Sequence, residues 1–276
     1  MEPLADSSPG FGTQTKRTMH PSMLLEAVHE AARLCGETAL AHFRSSLDVE
    51  FKADGSEVTR ADREAESAVR DWVEKRFPGD AVVGEEFGAS AASGNRRWFI
   101  DPIDGTRSFV RGVPLWGSMV AVEQDGLMVA GAVNCAASRD FVVAALGEGC
   151  FHNGARTSVS RVESLDKATV LGTDQRFPWN PARLPRWNEL CKDVEIARSW
   201  GDCYGYVLVA TGRAELMVDD RLSPWDVAAL VPILAEAGGV LTDWNGRSGM
   251  GADAIATNAA LARTFRARLG VPEDVR

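Results

Sequence analysis

The chain has little that would commit it to a membrane, an oxidising compartment or a soft metal. No apolar run approaches the length of a membrane span. Its five cysteines, Cys35, Cys135, Cys150, Cys191 and Cys203, are odd in number and never spaced Cys-x-x-Cys. That argues against a disulfide framework or a zinc site and fits a reducing cytoplasm. The four histidines form no His-x-x-x-His array, so a histidine-bound transition metal is not expected. Positive charge is in deficit: 30 Lys and Arg against 39 Asp and Glu leave a net charge of −9, which argues against nucleic-acid binding through a broad basic surface. Residues 1–20 are rich in Ser, Thr, Gly and Pro and lack an apolar signal-peptide core, so they read as a disordered tail. The rest, 45% apolar and 25% charged over 276 residues, is an ordinary globular composition with enough chain for a substantial core.

Hydrophobic periodicity predicts a helix from Ser22 to about Arg44 and another from Thr59 to Phe77, with a polar hairpin or exposed loop at Lys52–Val58 between them. Val82-Val83 is a short buried strand, and residues 89–95 are a flexible connector. Runs at 118–123, 127–134, 141–146 and 150–152 are separated by Asp125-Gly126, Ser138-Arg139 and Gly147–Gly149, the pattern of an antiparallel meander. Beyond residue 160 strands alternate with helices, among them a helix at Cys203–Thr211 and a continuous one at Pro224–Ala237. The expected fold class is therefore mixed α/β (α+β) and layered. Residues 21–276 are expected to form a single domain, with subdomains at approximately 21–160 and 161–276, no linker between them and no internal repeat.

The most informative segment is Asp101-Pro102-Ile103-Asp104-Gly105-Thr106, directly after the apolar run Trp98-Phe99-Ile100. Two acids three residues apart at a strand end, then a glycine and a hydroxyl, can offer hard oxygen ligands to a cation and backbone amides to a phosphate. Pro102 is expected to end the strand, because it cannot donate to a sheet. Asp104 can also be read as a helix N-cap. Glu85 in Gly84-Glu85-Glu86, Asp62 in Thr59-Arg60-Ala61-Asp62, and Asp226 in Ser223-Pro224-Trp225-Asp226 are further candidates. Asp62 and Asp226 also fit as capping-box acids at helix starts, and Glu85-Glu86 fits as a solvated pair. Several carboxylates gathered at element ends repel one another unless cations sit among them, and oxygen ligands without His or Cys point to Mg2+, with Mn2+ as the other choice.

Gly84-Glu85-Glu86, Asp101-Pro102-Ile103-Asp104-Gly105-Thr106 and Trp225-Asp226, in this order and spacing, resemble the inositol monophosphatase family. Lys52 and Thr59-x-x-Asp62 fall where that family has them, and the likeness runs over about residues 22–270. The resemblance implies an αβαβα sandwich, usually dimeric, that hydrolyses small phosphate esters and is inhibited by lithium. It implies that Glu85, Asp101 and the carbonyl of Ile103 hold one Mg2+, and that Asp101, Asp104 and Asp226 share a second. Glu85 would help to place a third, weaker ion with the attacking water, which Thr106 and Asp62 orient and deprotonate. The amides of Gly105 and Thr106 would hold phosphate oxygens.

For the ester itself, residues 107–119 and 198–219 look more like the histidinol-phosphate phosphatases of this family than its inositol enzymes, notably at Trp116-Gly117 and Gly201-Asp202-Cys203-Tyr204. Asp202 or Asp219 could pair with the substrate's ammonium, and Arg198 could face the phosphate or orient an acid. Asp202 can equally be the N-cap of the helix at Cys203–Thr211. Trp200, Tyr204 and Tyr206 are expected in the core or walls. Two other readings remain: a phosphatase for inositol or another small polyol or sugar phosphate, and a regulatory binding protein on the same fold.

Overall fold

The structure, a computed structural model, describes residues 18–46, 48–52, 55–91 and 93–272. Residues 1–17 of the expected tail, and Ala92 of the expected connector, lie outside the described residues. The described end of that tail is tied down: Met19 N donates to Gln124 Oε1 at 2.9 Å, and Gln124 Nε2 donates to Met19 O at 3.1 Å.

Five layers stack as helix, sheet, helix, sheet, helix. The outer helices are α1 (Pro21–Leu40) and α2 (Arg60–Arg76), linked by the hairpin β1 (Glu50–Phe51) and β2 (Glu57–Val58). Leu24, Val28, Ala31, Ala32, Cys35 and Ala39 recur at helical spacing on α1, and this face packs on the first sheet. That sheet contains β3 (Ala81–Gly84), β4 (Gly88–Ala89), β5 (Arg96–Asp104), β6 (Gly117–Gln124), β7 (Leu127–Cys135), β8 (Asp140–Ala145), β9 (Gly149–His152) and β10 (Ala155–Arg156). Its order is β10-β9-β8-β7-β6-β5-β3-β4, antiparallel except where β3 runs parallel to β5. The meander is therefore as expected, and its β6–β7 turn places Asp125 and Gly126 at φ +54° and +84°.

The helix α3 (Thr106–Val110) follows β5. Next come β11 (Thr169–Gly172), α4 (Leu184–Asp193), β12 (Ile196–Arg198), α5 (Asp202–Ala210), β13 (Leu216–Asp219), α6 (Pro224–Ala228), α7 (Leu230–Glu236), β14 (Gly239–Thr242), β15 (Ala254–Asn258) and α8 (Ala262–Leu269). The second sheet runs β12-β11-β13-β15-β14. The helices α5, α6 and α7 fill the space between the sheets in a shared core with Met119, Val133, Met217 and Leu241. The helices α4 and α8 close the far side around Trp187, Leu190 and Phe265.

Two expectations are corrected. The chain does not leave the sheet at Pro102: β5 continues to Asp104, and pairing with β6 shifts register between Asp101↔Met119 and Asp104↔Gly117. The irregularity absorbs the missing donor, which is how prolines are accommodated in sheets. The helix expected at Pro224–Ala237 is two helices that part at Ala229. Pro232 supplies no N–H, and its ring would crowd the carbonyl of Ala228, four residues earlier, where α6 ends. The junction lies directly on the first sheet, for a Cβ at Gly131 would come within 2.4 Å of Ala229 O.

Candidate active site

The register shift in β5 shapes the site. Asp101, 2% exposed, turns Oδ1 back to accept from Ile103 N at 3.0 Å. Pro102 O accepts from Ser118 Oγ at 2.6 Å, and Ile103 O accepts from Thr106 Oγ1 at 2.9 Å. Gly105 takes φ +85° and is the N-cap of α3, so the expected N-cap role of Asp104 falls to its neighbour. A side chain there would meet Leu115 O at 2.9 Å and the Asp202 carboxylate at 3.1 Å.

The other acids are aimed by helix starts. At N3 of α2, Asp62 Oδ2 accepts from Thr59 N and Thr59 Oγ1, each at 2.7 Å. At N3 of α6, Asp226 Oδ2 accepts from Ser223 N at 2.7 Å. Both acids are thus cap residues as well as candidates, because capping uses one oxygen and leaves the other. For Asp62 that other oxygen, Oδ1, is buried with no hydrogen-bond partner. Asp202 is not an N-cap: Gly201 takes that position, Asp202 opens α5 at φ +51°, and Cys203 N donates to Asp104 Oδ2.

Asp101, Asp104 and Asp226 each bring a carboxylate oxygen within 4.8 Å of the others. Burial is the largest cause lifting all three pKa values above the usual carboxylate range, and neighbouring carboxylates add to the rise for each. An all-oxygen cluster that cannot ionise without mutual repulsion is the donor set of a hard divalent cation, and Mg2+ fits it. Glu85 lines the same cleft but stands outside the tight trio, its Oε1 accepting from Lys52 Nζ at 2.7 Å. Burial raises the Glu85 pKa against the opposing pull of Lys52.

The cleft encloses about 530 Å³ and has Ile103, Gly105, Thr106 and Arg107 along its floor with the acids. Two lobes open from it, both touching Arg107. One holds Asp202, Ser56 and Glu57; the other holds Asp219, Trp179 and Arg221. Burial pushes the Asp202 carboxyl up to about 6, with Arg107 opposing. Burial also lifts Asp219 to about 8, although hydrogen bonds from Thr173 and Tyr206 pull it down. Tyr206 OH donates to Asp219 Oδ2 at 2.8 Å, deep in the core.

Two expected residues do not line the cleft. Arg198 is exposed beyond the cleft, with Nη1 donating to Ala197 O at 2.8 Å. Asp62 does not line the cleft, although its charge reaches Glu85, and among the described residues no hydrogen bond joins it to Thr106. Burial raises the Asp62 pKa to about 6.

Sequence reasoning passed over Arg107, although it directly follows the metal-type turn, and also Glu66. The Glu66 carboxylate is fully buried, with Oε2 accepting from Glu86 N at 2.7 Å and Oε1 from Phe87 N at 3.3 Å. Arg70 Nε donates to Oε1 at 2.7 Å. Glu66 therefore fixes the turn that carries Glu85. Glu66→Ala is expected to cost roughly 3 kcal/mol in urea unfolding, because it strands buried donors and a mostly buried guanidinium. It should also raise the Mg2+ concentration needed for half-maximal activity. Unchanged values for both would remove the positioning role.

The sequence matches the inositol monophosphatase family over residues 20–270. It is 42% identical to a histidinol-phosphatase of Chlorobaculum parvum over 249 residues, covering 89% of this chain and 96% of that protein. A histidinol-phosphatase of Mycobacterium tuberculosis is 40% identical over 229 residues, covering 81% and 88%. Among solved structures, an IMPase of Thermotoga maritima superposes with a TM-score of 0.81 at 29% identity, covering 90% of this chain and 97% of that one.

Proposed function

The chain belongs to the inositol monophosphatase family and is a phosphomonoester hydrolase, and from that premise we propose that its ester is L-histidinol phosphate, released as L-histidinol and inorganic phosphate. The observation that carries the choice of ester is the likeness to histidinol-phosphatases over most of the chain. The two acids flanking Arg107, Asp202 and Asp219, add a chemical reason, since Asp202 offers a carboxylate to an ammonium-bearing alcohol at neutral pH and a bound ammonium would favour the ionised form of Asp219.

Asp101, Asp104, Asp226, Glu85 and the Ile103 carbonyl would hold Mg2+. When bound, the metal supplies Lewis-acid polarisation of the phosphoryl group and acidifies water. The protein's own groups do the rest. The Thr106 hydroxyl gives its proton to Ile103 O, so its oxygen is left to accept one from a water. Asp62 has one carboxylate oxygen occupied by Thr59 and one unpartnered, and a pKa near 6 suits it to take a proton at neutral pH. The Gly105 and Thr106 amides and the Arg107 guanidinium would hold phosphate oxygens as the water oxygen bonds phosphorus and the bond from phosphorus to the alcohol oxygen breaks, that oxygen taking a proton from solvent. The same proposal includes two or three ions, a homodimer, lithium sensitivity, a cytoplasmic location and one catalytic domain over residues 21–276. Among the described residues, no helix is long and apolar enough to cross a membrane.

Phosphate release from L-histidinol phosphate and inositol 1-phosphate, measured side by side with Mg2+, is the test. The expected result is a higher kcat/KM for histidinol phosphate, loss of turnover in EDTA and its return with Mg2+. Preference for inositol 1-phosphate would overturn the assigned ester and leave the phosphatase.

A further inference from the structure

We propose that Trp179 sets specificity for esters whose alcohol carries a planar ring, its indole being the wall on which that ring stacks. This rests on the histidinol-phosphate reading and deepens it, assigning a receptor to the imidazole rather than to the phosphate or the ammonium.

Trp179 is 62% exposed. It is also not out on a random surface. It lines the cleft that holds Asp101, Asp104 and Asp226, and equally the lobe that holds Asp219. A ring resting against it would belong to the same molecule as a phosphate at the acids.

The indole is held there by the fold. Trp179 N and Asn180 N both donate to Asp220 Oδ2, at 3.0 and 3.2 Å. Two residues earlier Phe177 is 2% exposed and meets Trp187 and Trp244 edge-on, with ring centroids 5.8 and 5.7 Å away. Phe177 adopts φ +51°, a conformation that aromatic residues seldom take, so this anchorage overrides local preference. The loop is thus pinned on either side of a side chain that it leaves in water. Within the fold, among the described residues, the ring has one stacking contact, the Arg221 guanidinium, and most of its surface stays in water, where it is a preorganised contact for a ligand.

A planar cation already rests on the ring. The Arg221 guanidinium carbon lies 4.1 Å from the Trp179 ring centroid, and Arg221 lines the cleft as well. An imidazole or imidazolium has the same flat, polarisable character. A saturated polyol has no π face to match, and a ring-free amine has none either. Stacking of a heteroaromatic ring on an aromatic side chain is worth roughly tenfold to a hundredfold in affinity when the side chain is cut to alanine.

The test compares L-histidinol phosphate with ethanolamine phosphate, which keeps an ammonium and the phosphate but has no ring. The ratio of their kcat/KM values is measured for the parent protein, Trp179→Ala and Trp179→Phe. The ratio should fall by about tenfold or more in Trp179→Ala, chiefly through KM for histidinol phosphate, and be largely retained in Trp179→Phe. Ethanolamine phosphate turnover in the same preparations reports whether each variant is folded. A parental preference that survives intact in Trp179→Ala overturns the assignment to Trp179 alone. A parent that turns over both esters equally well overturns the histidinol-phosphate reading, and this one with it.

Discussion

Asp104→Asn is expected to lower kcat by roughly 10³-fold or more, in line with the several kcal/mol of transition-state stabilisation that a metal site supplies. The substitution removes a charge and a candidate ligand while keeping a carbonyl oxygen where Oδ2 accepts from Cys203 N. The start of α5 is therefore kept, and lost turnover cannot be ascribed to lost structure. Melting temperatures supply a second reading with opposite signs. In EDTA the variant should melt above the parent, because one of three mutually repelling, closely set carboxylates is gone. With saturating Mg2+ the parent should gain more and overtake it. Parental turnover in Asp104→Asn would dismiss the metal assignment. A protein acting only as a binding scaffold would keep its partner through this change.

The second large effect is a pH-dependent loss of stability in the metal-free protein. Carboxyls whose pKa is raised by folding hold their protons more tightly in the native than in the unfolded state. Their stabilising contribution is complete below the unfolded value near 3.8 and disappears as pH climbs through the folded value. Those folded values lie at about 6 for Asp62 and Asp202 and about 8 for Asp219, so the loss spans about pH 4 to 8. Between pH 5.5 and 8.5 the three groups together forfeit roughly 3–5 kcal/mol. In EDTA the melting temperature should accordingly fall by about 10 °C over that interval, at about 2–4 °C per kcal/mol for a large domain. Mg2+ should restore it at the upper pH. A flat profile in EDTA would show that these acids are not held in the native fold as described.

Much of this was legible in the sequence because it is written locally. Asp125-Gly126 marks the β6–β7 turn, and the spacing of Leu24, Val28 and Ala31 marks the buried face of α1. Asp101, Asp104 and Asp226 carry their chemistry within short motifs, and the fold brings those three together. The misreadings arose where a local rule met a tertiary answer. Pro102 loses its donor, but the displaced pairing between β5 and β6 accommodates it. Asp202 looks like a cap, but the acceptor for Cys203 N arrives from Asp104, 99 residues away. Glu66 and Trp179 gave no signal at all. Their importance lies in Glu86, Phe87 and Asp220, which only the folded chain sets beside them.

The link between Asp104 and the first turn of α5 also has a temporal meaning. Asp101 and Asp104 are made early, at the end of β5, whereas Cys203 and Asp226 emerge from the ribosome roughly 100 and 120 residues later. A nascent chain that has completed the whole meander still owns only part of the constellation. Hydrolytic competence therefore arrives with the last third of translation, and a truncated product, however well its first half has collapsed, has no assembled acid trio.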